Sequence, residues 1–186
     1  MDQRTLRAAV DGALPATLEM FGRLLRFPST SGKEQEAMLY LEQELSRIPG
    51  VRVERVALHD ALRQDPDYSD PIPDIPYEGR FNLRVTRAGS GGGKRLLLNT
   101  HVDVVPPSEG MVDPWAGTLR GDTVLGRGAC DAKGQVAAVY LLLRAMADAG
   151  VSTRGDVVAH FVVEEENGGN RSEEHTSELQ SRQVIS

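Results

Sequence analysis

Residues 136–149, VAAVYLLLRAMADA, then Gly150, then residues 156–163, DVVAHFVV, decide how this chain folds. The first stretch is apolar on nearly every face of a helix, the pattern of a helix packed on both sides. Gly150 is placed to end it in a left-handed turn. The second is a short, almost wholly apolar run, the signature of a buried strand. Upstream, Arg95–Asn99 reads as another strand and delivers His101. Strand, helix, strand in that order implies parallel pairing, so His101 and Glu164–Glu166 leave the sheet at the same edge. The expected fold is α/β, a mixed and largely parallel sheet flanked by helices.

Working outward, Leu18, Phe21, Leu24 and Leu25 recur at helical spacing, and Pro28 stops that helix near Phe27. Ser31 followed by Glu34 has the spacing of a capping box opening a second helix, with Met38, Leu41, Leu45 and Ile48 on one face and Pro49-Gly50 ending it. Val51, Val53 and Val56 suggest a short strand, and the proline- and aspartate-rich segment 65–79 a surface loop. Phe81–Val85 reads as a strand joined to the one before His101 by the turn Gly89–Gly93. Alternation about Arg120-Gly121-Asp122 suggests a small hairpin within 115–125.

The hydrophobic content of 40% is enough for a core in one ordinary domain. A net charge of −6 without a basic run argues against nucleic-acid and membrane-surface partners and leaves a small-molecule substrate open. The single cysteine, Cys130, forms no internal disulfide and reads as a small packed residue. The start Met1-Asp2-Gln3-Arg4 lacks a signal's apolar stretch, so the expected compartment is the cytoplasm. No apolar run approaches the roughly 20 residues that span a bilayer.

Chemistry concentrates at three strand-to-loop transitions: His101-Val102-Asp103, then Asp131 within Gly126–Gly134, then Glu164-Glu165-Glu166. One imidazole and several carboxylates suit a borderline-hard divalent cation. A bridging carboxylate holds two ions about 3.5–4 Å apart, which brings a water's pKa toward roughly 7. Asp103 is placed to accept the imidazole N–H and fix the metal-binding tautomer. Of two adjacent glutamates, one can ligate while the other moves protons. His59, His160 and Lys133 stay outside this set, Lys133 reading as a solvated residue at a helix start. Gly126-x-Gly128 is no dinucleotide fingerprint, since Asp131 stands where the third glycine belongs. Gly89–Lys94 is no phosphate loop, since Arg95 stands where the serine or threonine belongs.

From about Leu24 to Asn170 these residues resemble the dinuclear zinc amidohydrolases and peptidases, the family of acetylornithine deacetylase, succinyl-diaminopimelate desuccinylase, aminoacylase and glutamate carboxypeptidase. The resemblance implies a zinc-exopeptidase-like catalytic domain with two Zn2+ ions, for which Co2+ can substitute. It implies His101 and Glu166 as metal ligands, Asp131 as the bridging ligand, Asp103 as the residue orienting His101, and Glu165 as general base. It also implies a cis peptide after Asp131. The implied reaction is cleavage of an N-acyl amide or peptide bond of an amino-acid derivative by metal-activated water. Gly128-Ala129-Cys130-Asp131 and Glu166–Asn170 look most like the deacetylase and desuccinylase branch. The alternative is a non-catalytic relative that keeps the fold and binds metal or a partner.

The family pattern continues with another acidic ligand, a late histidine ligand, and a lid domain used for dimerisation and for reading the substrate. None of these is in this sequence. After Asn170 the chain reads RSEEHTSELQSRQVIS, which looks like a translated sequencing adapter. Residues 1–170 are therefore expected to be the N-terminal part of the catalytic domain, truncated, and 171–186 a non-native tail without the lid. The full-length form is expected to dimerise through that lid. With so few ligands per ion, the chain as written is expected to bind zinc weakly and to be inactive.

Overall fold

The computed structural model describes residues 2–64, 68 and 72–168. The reading of 171–186 as a non-native tail, and part of the loop expected over 65–79, lie outside the described residues.

Helix α1 spans Gln3–Leu25, reaching back well beyond the apolar spacing that begins at Leu18, and runs through Pro15. The Asp2 side chain caps its start by accepting from the Thr5 amide at 2.8 Å. Its buried face holds Ala13, Thr17, Met20, Phe21, Leu24 and Leu25. Helix α2, Gln35–Ser46, buries Ala37, Met38, Tyr40, Leu41 and Leu45. The expected capping box is not made: Glu34 offers no side-chain cap. Its carboxylate instead accepts from the Gly32 amide at 2.9 Å and pairs with Arg80. A buried guanidinium outcompetes a helix amide for that carboxylate.

Strands β1 (Arg52–Ala57), β2 (Phe81–Arg87), β3 (Leu96–His101) and β6 (Val157–Val162) form one sheet in the order β1-β2-β6-β3, and β4 (Thr118–Arg120) pairs with β5 (Thr123–Leu125) as the expected hairpin. β3 and β6 pair in parallel, as the strand–helix–strand order requires. β1–β2 and β2–β6 are antiparallel, so the sheet is mixed but less parallel than expected.

Gly89–Gly93 is not a hairpin turn, because β6 lies between β2 and β3. Every residue of β6 is buried, and a strand this apolar gains most where it has neighbours on both sides. The glycine-rich segment packs instead on the chain entering β6: Ser90 and Gly91 donate to the carbonyls of Thr153 and Arg154 at 2.8 and 2.9 Å. The approach is so close that a β-carbon on Gly155 would lie 1.8 Å from the Lys94 carbonyl oxygen.

Helix α3 (Lys133–Asp148) carries the crossover from β3 to β6. It ends as expected at Gly150, φ +61°, where Gly150 and Val151 donate to the carbonyls of Ala147 and Met146 at 3.1 and 2.8 Å. α3 packs against α1 and β3, while α2 lies on β1 and β2. Leu24, Leu25, Leu41, Leu83, Leu143, Ala159 and Phe161 are fully buried in the core between them. Each large side chain there contributes about 1.5–3 kcal/mol. No helix among the described residues is long and apolar enough to cross a membrane.

Candidate metal centre

The parallel register sets His101 of β3 opposite Val162 of β6, so the chain leaves both strands at one sheet edge. His101 is 8% exposed there. Its Nδ1 lies 3.0 Å from the Asp103 carbonyl oxygen, to which an Nδ1–H donates. Its Nε2 lies 3.0 Å from Asp131 Oδ1 and 3.7 Å from Glu165 Oε2. Asp103 thus meets the imidazole through its backbone, its carboxylate standing 3.6 Å from Nδ1. That carboxylate, fully buried, accepts from the amides of Glu165 at 3.2 Å and Glu166 at 3.0 Å. One aspartate therefore aims the ring with its carbonyl and pins the glutamate turn with its side chain.

The charges respond to this crowding. Burial disfavours the His101 cation, yet the hydrogen bond and charge of Asp103, its carbonyl and the charge of Glu165 outweigh burial and lift the pKa to about 9. Glu166 is raised, first by burial and then by Asp131. The donor atoms of His101, Glu165 and Glu166 all lie within 4.8 Å of one another. Together with Asp131 at His101 Nε2, this imidazole-and-carboxylate set fits a divalent cation of the zinc type. Asp131 reaches in from an exposed loop, its side chain 75% exposed, and the Asp131–Ala132 peptide is cis.

Five neighbours differ from their sequence reading or escaped it. Lys133 is fully buried rather than solvated, and its Nζ donates to the carbonyls of Leu24 and Phe27 at 3.2 and 2.8 Å. Burial lowers its pKa to about 7, against the opposing pull of Asp103. Cys130 is exposed rather than packed. Glu164 turns away from the cluster to Arg80, and Arg80 holds Glu34 as well. Only Lys133 carried a sequence signal, its place two residues after Asp131 at the start of an apolar helix. Nothing in the spacing of Glu34, Arg80 and Glu164 links them. His160 is buried in central β6, and His59 is exposed; neither belongs to the cluster.

By fold and site, the chain is an α/β protein carrying an imidazole–carboxylate cluster at one edge of a mixed sheet. Residues 97–183 match the sequence model described as Peptidase family M20/M25/M40, and the resemblance drawn from the motifs stands. That match runs past Asn170 into the stretch read from the sequence as adapter-derived.

The chain is 35% identical over 159 residues to succinyl-diaminopimelate desuccinylase of Methylobacterium sp. (strain 4-46), covering 83% of this chain and 35% of the relative. It is 38% identical over 94 residues to acetylornithine deacetylase of Arabidopsis thaliana, covering 49% and 21%. Human carnosine dipeptidase 1 shares the fold, with a TM-score of 0.71 at 18% identity over 88% of this chain and 35% of that one. The chain spans about a third of the length of the desuccinylases it matches.

Proposed function

We propose that the protein is a metal-dependent hydrolase of an N-acyl amide or peptide bond in a small amino-acid derivative, acting in the cytoplasm. The observation that carries this reading is the convergence of Asp131 and Glu165 on Nε2 of one buried histidine. The desuccinylase and deacetylase relatives point to an acyl group on a nitrogen as the substrate feature. In this reading His101, Asp131 and Glu166 would hold two Zn2+ ions, for which Co2+ could substitute. A bound ion pair would supply an activated water and polarise the scissile carbonyl. Glu165, 43% exposed beside the cluster, takes the proton of the attacking water and returns it to the leaving nitrogen. Asp103 keeps His101 oriented and the glutamate turn in place.

Residues 1–170 are read as the N-terminal part of the catalytic domain and 171–186 as a non-native tail. Among the described residues, His101, Asp131 and Glu166 give each ion fewer than three protein ligands, and on this reading the 186-residue chain binds metal weakly and is inactive. The test is a Co2+ titration followed by its visible absorption, with an assay on N-succinyl and N-acetyl amino acids. Weak binding lost in His101→Ala, without hydrolysis, is expected. Metal-dependent hydrolysis that Glu165→Ala abolishes would overturn the inactivity of the chain. Absence of Co2+ binding would overturn the metal reading.

A further inference from the structure

The glutamate pair is steered from a direction that the cluster itself does not reveal. Glu164, the residue between β6 and the pair, has φ +61°, a left-handed backbone that a residue with a β-carbon rarely adopts. Its side chain is fully buried and ion-paired with Nη1 of Arg80 at the head of β2. Nη2 of the same guanidinium meets both oxygens of Glu34, at 2.7 and 2.8 Å. Glu34 is itself 1% exposed and tied to the Gly32 amide. One cation therefore joins the start of α2 to the turn that leads into Glu165 and Glu166.

Downstream, the carboxylate of Asp103 holds the amides of that turn, and the side-chain oxygen of Asn167 accepts from the Ile72 amide at 2.8 Å. Upstream, the Asn82 side chain accepts from the Val163 amide at 3.1 Å. Arg80 is the cation among these restraints, and it grips Glu164, whose backbone in this turn is left-handed.

We infer that Arg80 is a positioning residue: by gripping Glu164 it sets the left-handed turn that aims Glu165 and Glu166 at His101. The inference rests on the metal reading for its consequence, and on the backbone alone for its cause. Arg80→Met leaves two buried carboxylates without their cation and threatens the fold, so the decisive variants sit at position 164. Glu164→Gln keeps an acceptor for Arg80, whereas Glu164→Ala removes it and leaves a neutral Arg80–Glu34 pair.

Two readouts on the 186-residue chain decide the matter: hydrogen exchange of the Glu165 and Glu166 amides without metal, and Co2+ affinity. Glu164→Ala is expected to speed exchange at both amides at least about tenfold and to weaken Co2+ binding by a similar factor, while exchange in β6 keeps its rate. Glu164→Gln is expected to restore both to within about threefold of the unaltered chain. Unchanged exchange at 165 and 166 in Glu164→Ala overturns the inference, as does a loss of protection shared equally with β6. If the unaltered chain fails to bind Co2+, the metal reading falls and the exchange data still decide the role of Arg80.

Discussion

His101 is where protons and metal compete for the same nitrogen. With its pKa raised to about 9, the metal-free imidazole is protonated at neutral pH, and a cation must displace that proton. Metal affinity is expected to rise about tenfold per pH unit between 7 and 9 and to level off above. Titration calorimetry in buffers of different ionisation enthalpy should show about one proton released at pH 7.5 for the ion that His101 holds. Affinity independent of pH over that range would mean that His101 is not the ligand. For the metal-free fold the sign runs the other way: the stability that charged His101 contributes is full below 6.5 and is lost as pH rises through 9. At this scale the sequence was highly legible. His101, Asp131, Glu165 and Glu166 announce themselves by chemical type and by position after apolar runs. Arg80 and Glu34 do not, because an arginine and a glutamate 46 positions apart look like two solvated charges until the fold buries them.

Among the elements, Lys133 shows how a side chain can join two helices. It stands in the first turn of α3 and donates to carbonyls at the C-terminal end of α1, where a helix leaves acceptors without intrahelical donors. Its pKa is lowered to about 7, so between pH 7 and 10.5 the unfolded chain binds the extra proton and native stability gains as pH rises. Lys133→Met abolishes that gain. The variant is expected to fall behind the unaltered chain by a margin that grows from pH 6 to pH 9, starting from about 1 kcal/mol or less, as read from urea midpoints. A margin that shrinks over the same interval would contradict a buried, titrating amine. The helices α2 and α3 and the strand β6 were readable from periodicity. The cap of α2 was misread because Glu34 has the spacing of a capping residue but a stronger partner across the fold.

For the whole molecule, the local order strand–helix–strand fixed the parallel pairing of β3 with β6, and with it the edge where the cluster forms. It could not fix which strand β2 would join, since that pairing spans 70 or more positions and is settled by how deeply β6 is buried. Among the described residues β3 has a strand neighbour on one side only, and Leu96 on it is 50% exposed. Such an edge invites pairing with another chain. Leu96→Lys is expected to raise, by about twofold or more, the concentration at which light scattering still reports monomer, without moving the urea midpoint by more than about 0.5 kcal/mol. Identical scattering from both proteins would show that this edge does not drive association.

The exposure of Cys130 has a practical consequence. It is the chain's single thiol, one peptide bond from Asp131. A fluorophore or spin label attached there would report directly on the loop that carries Asp131, with no background signal and no engineered attachment point.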